Sequence, residues 1–191
     1  VSVTVTNLIL GPGTLYSGLF GAVEPLDSAV NLAPPSSSWT DVGGTLNGIT
    51  LSVDQQYTEL MVDQLVDSIG RRLTKREFSI TTQMAEPTLA NLSIALNGST
   101  QTSGAVTSGG QYQTLEPLFA TSATQPTYIA LCLDGYAPAS FRRRVIVRRA
   151  LSTAKVDTVM DKSKQTVFTV NFAGHYVSSA IAPFHMVDQT S

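Results

Sequence analysis

Five arginines within eleven residues carry the most chemistry in this chain. Residues 141–151 read FRRRVIVRRAL, with Arg142, Arg143, Arg144, Arg148 and Arg149. Guanidinium groups pair well with phosphate oxygens, so a basic run raises the question of nucleic-acid binding. The spacing argues against a grip. Val145, Ile146 and Val147 make a strand centre. Period-two alternation then sends Arg143, Val145, Val147, Arg149 and Leu151 to one side, and Arg142, Arg144, Ile146 and Arg148 to the other. The charges form no continuous face. Phe141 is the only aromatic nearby, whereas a nucleic-acid groove usually adds stacking rings along its path.

Other reactive residue types are sparse. Asp63 and Asp67, in VDQLVDS, are the best carboxylate pair. At i, i+4 they would share a helix face and could hold a divalent cation. They precede Arg71, Arg72, Lys75 and Arg76, so an acid-then-base segment that pairs with a neighbour accounts for both groups. His175 and His185 stand ten residues apart in unlike contexts, which is not metal-site spacing. The single cysteine, Cys132 in YIALCLDG, excludes an internal disulfide and reads as a small buried hydrophobe. No G-x-S-x-G, H-E-x-x-H or Walker loop is present. No catalytic residue, metal site or cofactor is expected.

The elements that must position these residues are mostly strands. The 191 residues fit one domain, 42% hydrophobic and only 14% charged, against roughly 25% charged in ordinary domains. No run approaches the ~18 apolar residues of a membrane helix. The opening VSVTVTNLIL has no positive n-region or small-residue cleavage site, so no signal peptide is expected there. Charge is unevenly placed. Residues 1–70 hold seven acids and no base, −7, and residues 71–191 hold twelve bases and seven acids, +5. Such halves suit either a nucleic-acid surface or contacts between the halves, within or between subunits.

Residues 1–38 read as an N-terminal arm with a first strand at 14–20, and NLAPPSSS (31–38) as a loop. TLNG (45–48) carries the Asn-Gly turn signal. Alternation from Ile49 to Thr58 buries Ile49, Leu51, Val53 and Tyr57 on one face, and from 75 to 84 it buries Phe78, Ile80 and Met84. The opposite faces carry Ser52, Asp54 and Gln56, and Glu77, Ser79, Thr81 and Gln83. They read as hydroxyl, amide and acidic, without Lys or Arg. Residues 60–74 read as a long loop joining the two strands.

PTLANLSIALN (87–97) is the one clear helix, with Pro87 at its first position, Gly98 as the stop and a Leu89, Leu92, Ala95, Leu96 stripe. Residues 98–110 read as a flexible polar loop. Strands follow at 126–133, 141–151, 155–160 and 166–177, and residues 178–191 read as a C-terminal arm. Along 166–177 alternation puts Phe168, Val170, Phe172 and Tyr176 on one face and Val167, Thr169, Asn171, Ala173 and His175 on the other. About eight strands and one flanking α-helix predict a mainly β protein, a β-sandwich or half-barrel.

The ordered string then matters more than any one motif. Residues 39–99 contain W-x-D-V-G-x-T, then V-D-Q-x-V-D-x-x-G-R-R-x-T-x-R, then A-E-x-T-L-x-N-L followed by A-L-N-G. With LGPGTLYSGLFGAVEP before it, and FRRRVIVRRALST and FTVNFAGHYVSSAIAPFHMVD after it, this resembles the major tail tube proteins of long, flexible-tailed bacteriophages. The nearest likeness is to those from phages of high-GC Gram-positive hosts. The likeness runs from about residue 9 to 188 and is least distinctive over 98–118.

The resemblance implies hexameric rings stacked into a helical tube, a virion structure through which the genome passes into the host. It implies strands contributed to a continuous inner barrel, loops and arms that bridge rings, and no enzyme activity. Its partners would be further copies of itself, the tape measure, tail terminator and tail-tip proteins, and viral DNA in the lumen without specific binding. No membrane is involved. On that reading Ser52, Asp54, Gln56, Glu77, Ser79, Thr81 and Gln83 line the lumen. Asp63, Asp67, Arg71, Arg72, Arg76, Arg142, Arg144 and Arg148 meet neighbouring subunits, with Arg144 facing Asp63. The competing expectation is a virion decoration or host-recognition β-sandwich module.

Overall fold

A computed structural model of the chain describes residues 8–9 and 11–191, so most of the expected N-terminal arm's first ten residues lie outside the described ones. The described residues form ten strands, one α-helix and two single-turn 3-10 helices, a mainly β architecture. Strand order is β2 (Thr40–Asp41), β1 (Thr14–Leu19), β7 (Ile129–Tyr136), β8 (Arg142–Ser152), β9 (Phe168–Gly174), β4 (Gly70–Met84), β3 (Thr45–Leu60), with every neighbour antiparallel. A tenth strand, β10 (Phe184–Asp188), also pairs with β8.

β8 explains how one sheet becomes two layers. One of its edges pairs with β7. The other edge carries β10 opposite residues 143–147 and β9 opposite 150–152. The strands therefore part company after Val147. β1, β7, β8 and β10 stay together while β9, β4 and β3 fold over them. Leu15, Leu131, Val145 and Val147 of the first group pack with Ile80, Met84, Val170 and Phe172 of the second in one core. Phe184 of β10 stacks on Phe78 of β4 with ring centroids 4.5 Å apart. This is a β-sandwich with one flanking helix, and its buried sides are the apolar faces that alternation picks out on β4 and β9.

A bulge corrects the simple alternation along β8. Leu131 pairs with Val147 and Ile129 with Ala150, so Arg148 and Arg149 together oppose Ala130. The extra residue swaps the faces. Ala150 joins Val145 and Val147 in the core, and Arg149 and Leu151 turn away from it.

The helix α1 (Leu89–Ala95) is shorter than expected at both ends. Thr88, not the residue before Pro87, is its N-cap and accepts the Asn91 N–H at 3.1 Å. At the other end Asn97 takes the left-handed conformation (φ 59°). Its N–H donates to Ile94 O and the Gly98 N–H to Ser93 O, a Schellman cap one residue earlier than the glycine suggests. Leu92 and Ala95 reach the core, while Leu96 stays exposed. Asn91 takes a place inside instead, donating to Val42 O and Glu86 O at 2.8 Å each.

Four further expectations change. Residues 98–110 are not a loose loop: β5 (Ser99–Ala105) and β6 (Gln111–Pro117) form a separate hairpin. Residues 155–160 form no strand. Asn47 and Gly48, both at positive φ, form a bulge inside β3 and not a turn before it, because Leu46 pairs with Gln83 and Ile49 with Thr82. Residues 178–191 are not a free arm, since β10 closes the subunit's own sandwich.

Candidate functional site

β3 and β4 are far longer than the core needs. From Asp54–Glu77 to Leu60–Gly70 seven cross-strand pairs run beyond the sandwich with every residue but Gly70 exposed. At ~3.4 Å per residue this ribbon projects roughly 20 Å. Its turn, residues 61–69, is closed by Ile69 N–H to Leu60 O at 3.0 Å and Leu65 N–H to Val62 O at 3.2 Å. The 60–74 loop is thus mostly strand. Asp63 and Asp67 lie in a turn, so the i, i+4 helix face they would have needed does not form.

The expected lumen residues come together on one face. Register sets Ser52 against Ser79, Asp54 against Glu77 and Thr50 against Thr81. Side chains directly opposite in an antiparallel ladder point the same way. Gln83 joins them through the Asn47 amide, which donates to its Oε1 at 2.9 Å. The face also has members that sequence reasoning did not place. β9 pairs with β4 so that Asn171 lies beside Thr81 and Thr169 beside Gln83. The Thr81 hydroxyl donates to Asn171 Oδ1 at 3.2 Å. Alternation in TVFTVNFAG already put Thr169 and Asn171 on a polar side; the pairing of β9 with β4 was not legible.

One feature of that face is corrected. It is not free of basic side chains. Lys75 stands opposite Gln56 and binds Glu77 at 2.7 Å. Asp54 and Glu77 are like charges directly opposite each other, which destabilises a ladder. Lys75 offsets that repulsion and leaves the face close to neutral. Past a second bulge at Thr74, Arg72 lies opposite Thr58, and Arg71 opposite Glu59. Arg76 faces the other way, opposite Gln55. These three arginines are exposed.

The tip has a property that the charges concealed. Met61, Val62, Leu65, Val66 and Ile69 are all exposed, Val66 at 99%. An apolar cluster at the end of a projecting ribbon has no core of its own to join. The signal lay in LMVDQLVDSI, where apolar residues outnumber the acids.

The arginine strand serves the fold of its own subunit. Arg144 is 1% exposed and makes a fork with Asp134, Nε to Oδ1 and Nη2 to Oδ2, both 2.6 Å. It also donates to Ala29 O and Leu32 O. Arg148 binds Glu24 through Nε and Nη2 and donates to Ala182 O. Arg143 forks onto Asp188 at 2.6 Å twice. Arg149 lies over the Tyr128 ring at 3.8 Å. Burial and internal bonding of Arg144 overturn the expectation that it reaches a neighbouring subunit, and with it the pairing of Arg144 with Asp63. Arg148, one-fifth exposed, is engaged by Glu24 and Ala182 O of its own chain and not free for an outside partner's carboxylate. Arg142 alone stays exposed, over Tyr136 at 4.9 Å.

The acidic first part of the chain thus meets the basic second part partly within the subunit, through Glu24–Arg148 and Asp27–His185. Residues 20–38 also pack on their own sheet. Trp39 is buried against Ala130, Cys132 and Ile146, and its Nε1–H donates to Val23 O at 2.9 Å.

No family model and no curated protein sequence matches this chain.

Burial pushes the Cys132 thiol up to about 12, the wrong direction for a nucleophile. Among the described residues no three His, Cys, Asp or Glu converge as metal ligands. A cleft of about 290 Å³ beside Phe20, Trp39 and Ile146 is mostly apolar, and the charges on its wall, Glu24 and Arg148, are bound to each other. The surface that stands out is the ribbon: a near-neutral polar face over three strands, an open edge along β3 and an apolar tip.

Proposed function

We propose that this protein is a structural subunit of a phage tail tube, assembling into hexameric rings that stack around a lumen for DNA. The projecting β3–β4 ribbon is the observation that carries this reading, in keeping with the resemblance of residues 9–188 to tail tube proteins. β3 ends the sheet order, so its outer edge presents unpaired N–H and C=O groups over sixteen residues. Such an edge invites uncontrolled pairing unless something covers it. A head-to-tail contact that closes by rotation would cover every edge in a ring and leave none exposed.

The same ring would turn the polar face of β3, β4 and β9 inward. Each arginine or lysine contact to phosphate adds affinity and salt dependence, so a conduit is better lined with hydroxyls, amides and a slight excess of acid. Ser52, Ser79, Thr81, Gln83 and Asn171 fit that description, Lys75 is bound by Glu77, and Arg72, opposite Thr58 on the same face, lies further out along the ribbon towards its tip. The apolar tip, flanked by Asp63, Asp67, Arg71 and Arg72, would be buried against an adjacent copy in the next ring.

Electron microscopy of the purified protein tests the reading. Tubes of stacked rings are expected, alone or after seeding with a tail-tip complex. A particle that stays monomeric or trimeric under both conditions would instead favour a decoration or host-recognition module.

A further inference from the structure

The chain contains two Asn-Gly steps, Asn47-Gly48 and Asn97-Gly98, and the fold treats them in opposite ways. All four residues have positive φ, at 61°, 79°, 59° and 112° in chain order. Asn-Gly is the dipeptide most open to deamidation, because glycine has no side chain to hinder its own nitrogen. That nitrogen attacks the Asn side-chain carbonyl carbon, forming a cyclic imide and expelling ammonia. Water then opens the ring at either carbonyl, giving aspartate or isoaspartate. No oxidant or cofactor enters, and the product carries one new negative charge.

The geometry points to Asn47 as a site of spontaneous deamidation and to Asn97 as a protected one; we infer that only the first ages in the folded protein. Asn97 is clamped. Its Nδ2 donates to Ser152 O at 2.8 Å and its Oδ1 accepts from Ser152 N–H at 2.7 Å, as a strand would. The attacking group is tied as well, since the Gly98 N–H donates to Ser93 O at 2.8 Å in the helix cap. Cyclisation there must break all three bonds. Asn47 is exposed, sits in a bulge where the β3–β4 ladder is interrupted, and holds only the side chain of Gln83 at 2.9 Å. The new charge at Asn47 would arise beside Gln83, at the end of the polar face nearest the core, and isoaspartate would lengthen a bulge that already holds two extra residues.

The test is incubation of the folded protein at mildly alkaline pH, followed by peptide mapping of acid and isoaspartate at both steps. Two backbone hydrogen bonds and a tied nucleophile should slow Asn97 by at least about tenfold relative to Asn47. In denaturant the clamp is gone, and the two steps should convert at similar rates. The variant Asn47→Gln should lose the acidic species that accumulates in the native wild type on isoelectric focusing. Equal rates in the folded state, or an Asn47 that survives folded but not denatured, would overturn the assignment.

Discussion

Replacing Arg144 with methionine would leave the Asp134 carboxylate against an apolar side chain, and Ala29 O and Leu32 O without their donor. Breaking a buried, hydrogen-bonded ion pair costs about 3–5 kcal/mol when the partner stays behind. Asp134 keeps 17% of its side-chain surface in water, so the lower end, about 3 kcal/mol, is expected for Arg144→Met in denaturant unfolding. Arg142→Met, at an exposed side chain that makes no fork, should change stability by less than about 0.5 kcal/mol. Similar losses for the two would mean that charge and not the fork matters. Asp188 supplies a pH signature. Hydrogen bonding from Arg143 holds its carboxyl below the ordinary carboxylate range. The folded value is depressed, so the clamp on β10 acts fully above the unfolded value near ~4 and is lost as pH falls through the folded one. Wild type should therefore exceed Asp188→Asn in stability at neutral pH and converge with it in acid. Curves that stay parallel down to acid would remove the clamp from the account.

At the scale of elements, the proposed tube would use the ribbon for assembly and not for folding. Val66 and Leu65 touch solvent and contribute nothing to the core. The double change Leu65→Asp with Val66→Asp should leave thermal unfolding of the subunit within a degree or two of wild type, as surface changes usually do. Tube formation, followed by light scattering and microscopy, should be abolished. Tubes at the normal yield would show that the tip is not buried between copies. The helix makes a different point. Thr88 and Asn97 cap it through side-chain and backbone geometry, and the buried Asn91 ties it to the link between β2 and β3 and to the turn just before the helix. The Pro87 and Gly98 signals marked its neighbourhood correctly, but the caps fell one residue inside each, because Asn97 takes the left-handed position that glycine usually fills.

For the whole molecule, the expected consequence of the proposed lumen lies in genome passage. Asp54→Lys, Glu77→Lys and Gln83→Lys together replace two facing acids and an amide with cations. The change removes the Lys75–Glu77 pair and sets like charges together, but positions 54, 75 and 77 are solvent-exposed on the ribbon, so the cost to folding should be small. Tubes should form, and DNA ejection should slow, with a stronger salt dependence than in wild type. Ejection at the normal rate and salt dependence would count against this face as the lumen wall.

Alternation along 49–58, 75–84 and 166–172 determined the mainly β class, which side chains face the core on β4 and β9, and which residues form the polar face. Period two is a local property, readable wherever one side of a strand is buried. The partners of the arginines were not local. Glu24 lies 124 residues from Arg148, and Asp188 lies 45 from Arg143. Only the packing of residues 20–39 and β10 onto β8 brings them together. The same holds for the bulge that swaps the β8 faces, for β9 widening the polar face, and for the ribbon outrunning the core. Each depends on what an element is set against, and a strand's sequence records its own period but not its neighbour. The tertiary structure therefore decided that the arginine strand holds the subunit together, and that the open surface belongs to β3 and β4.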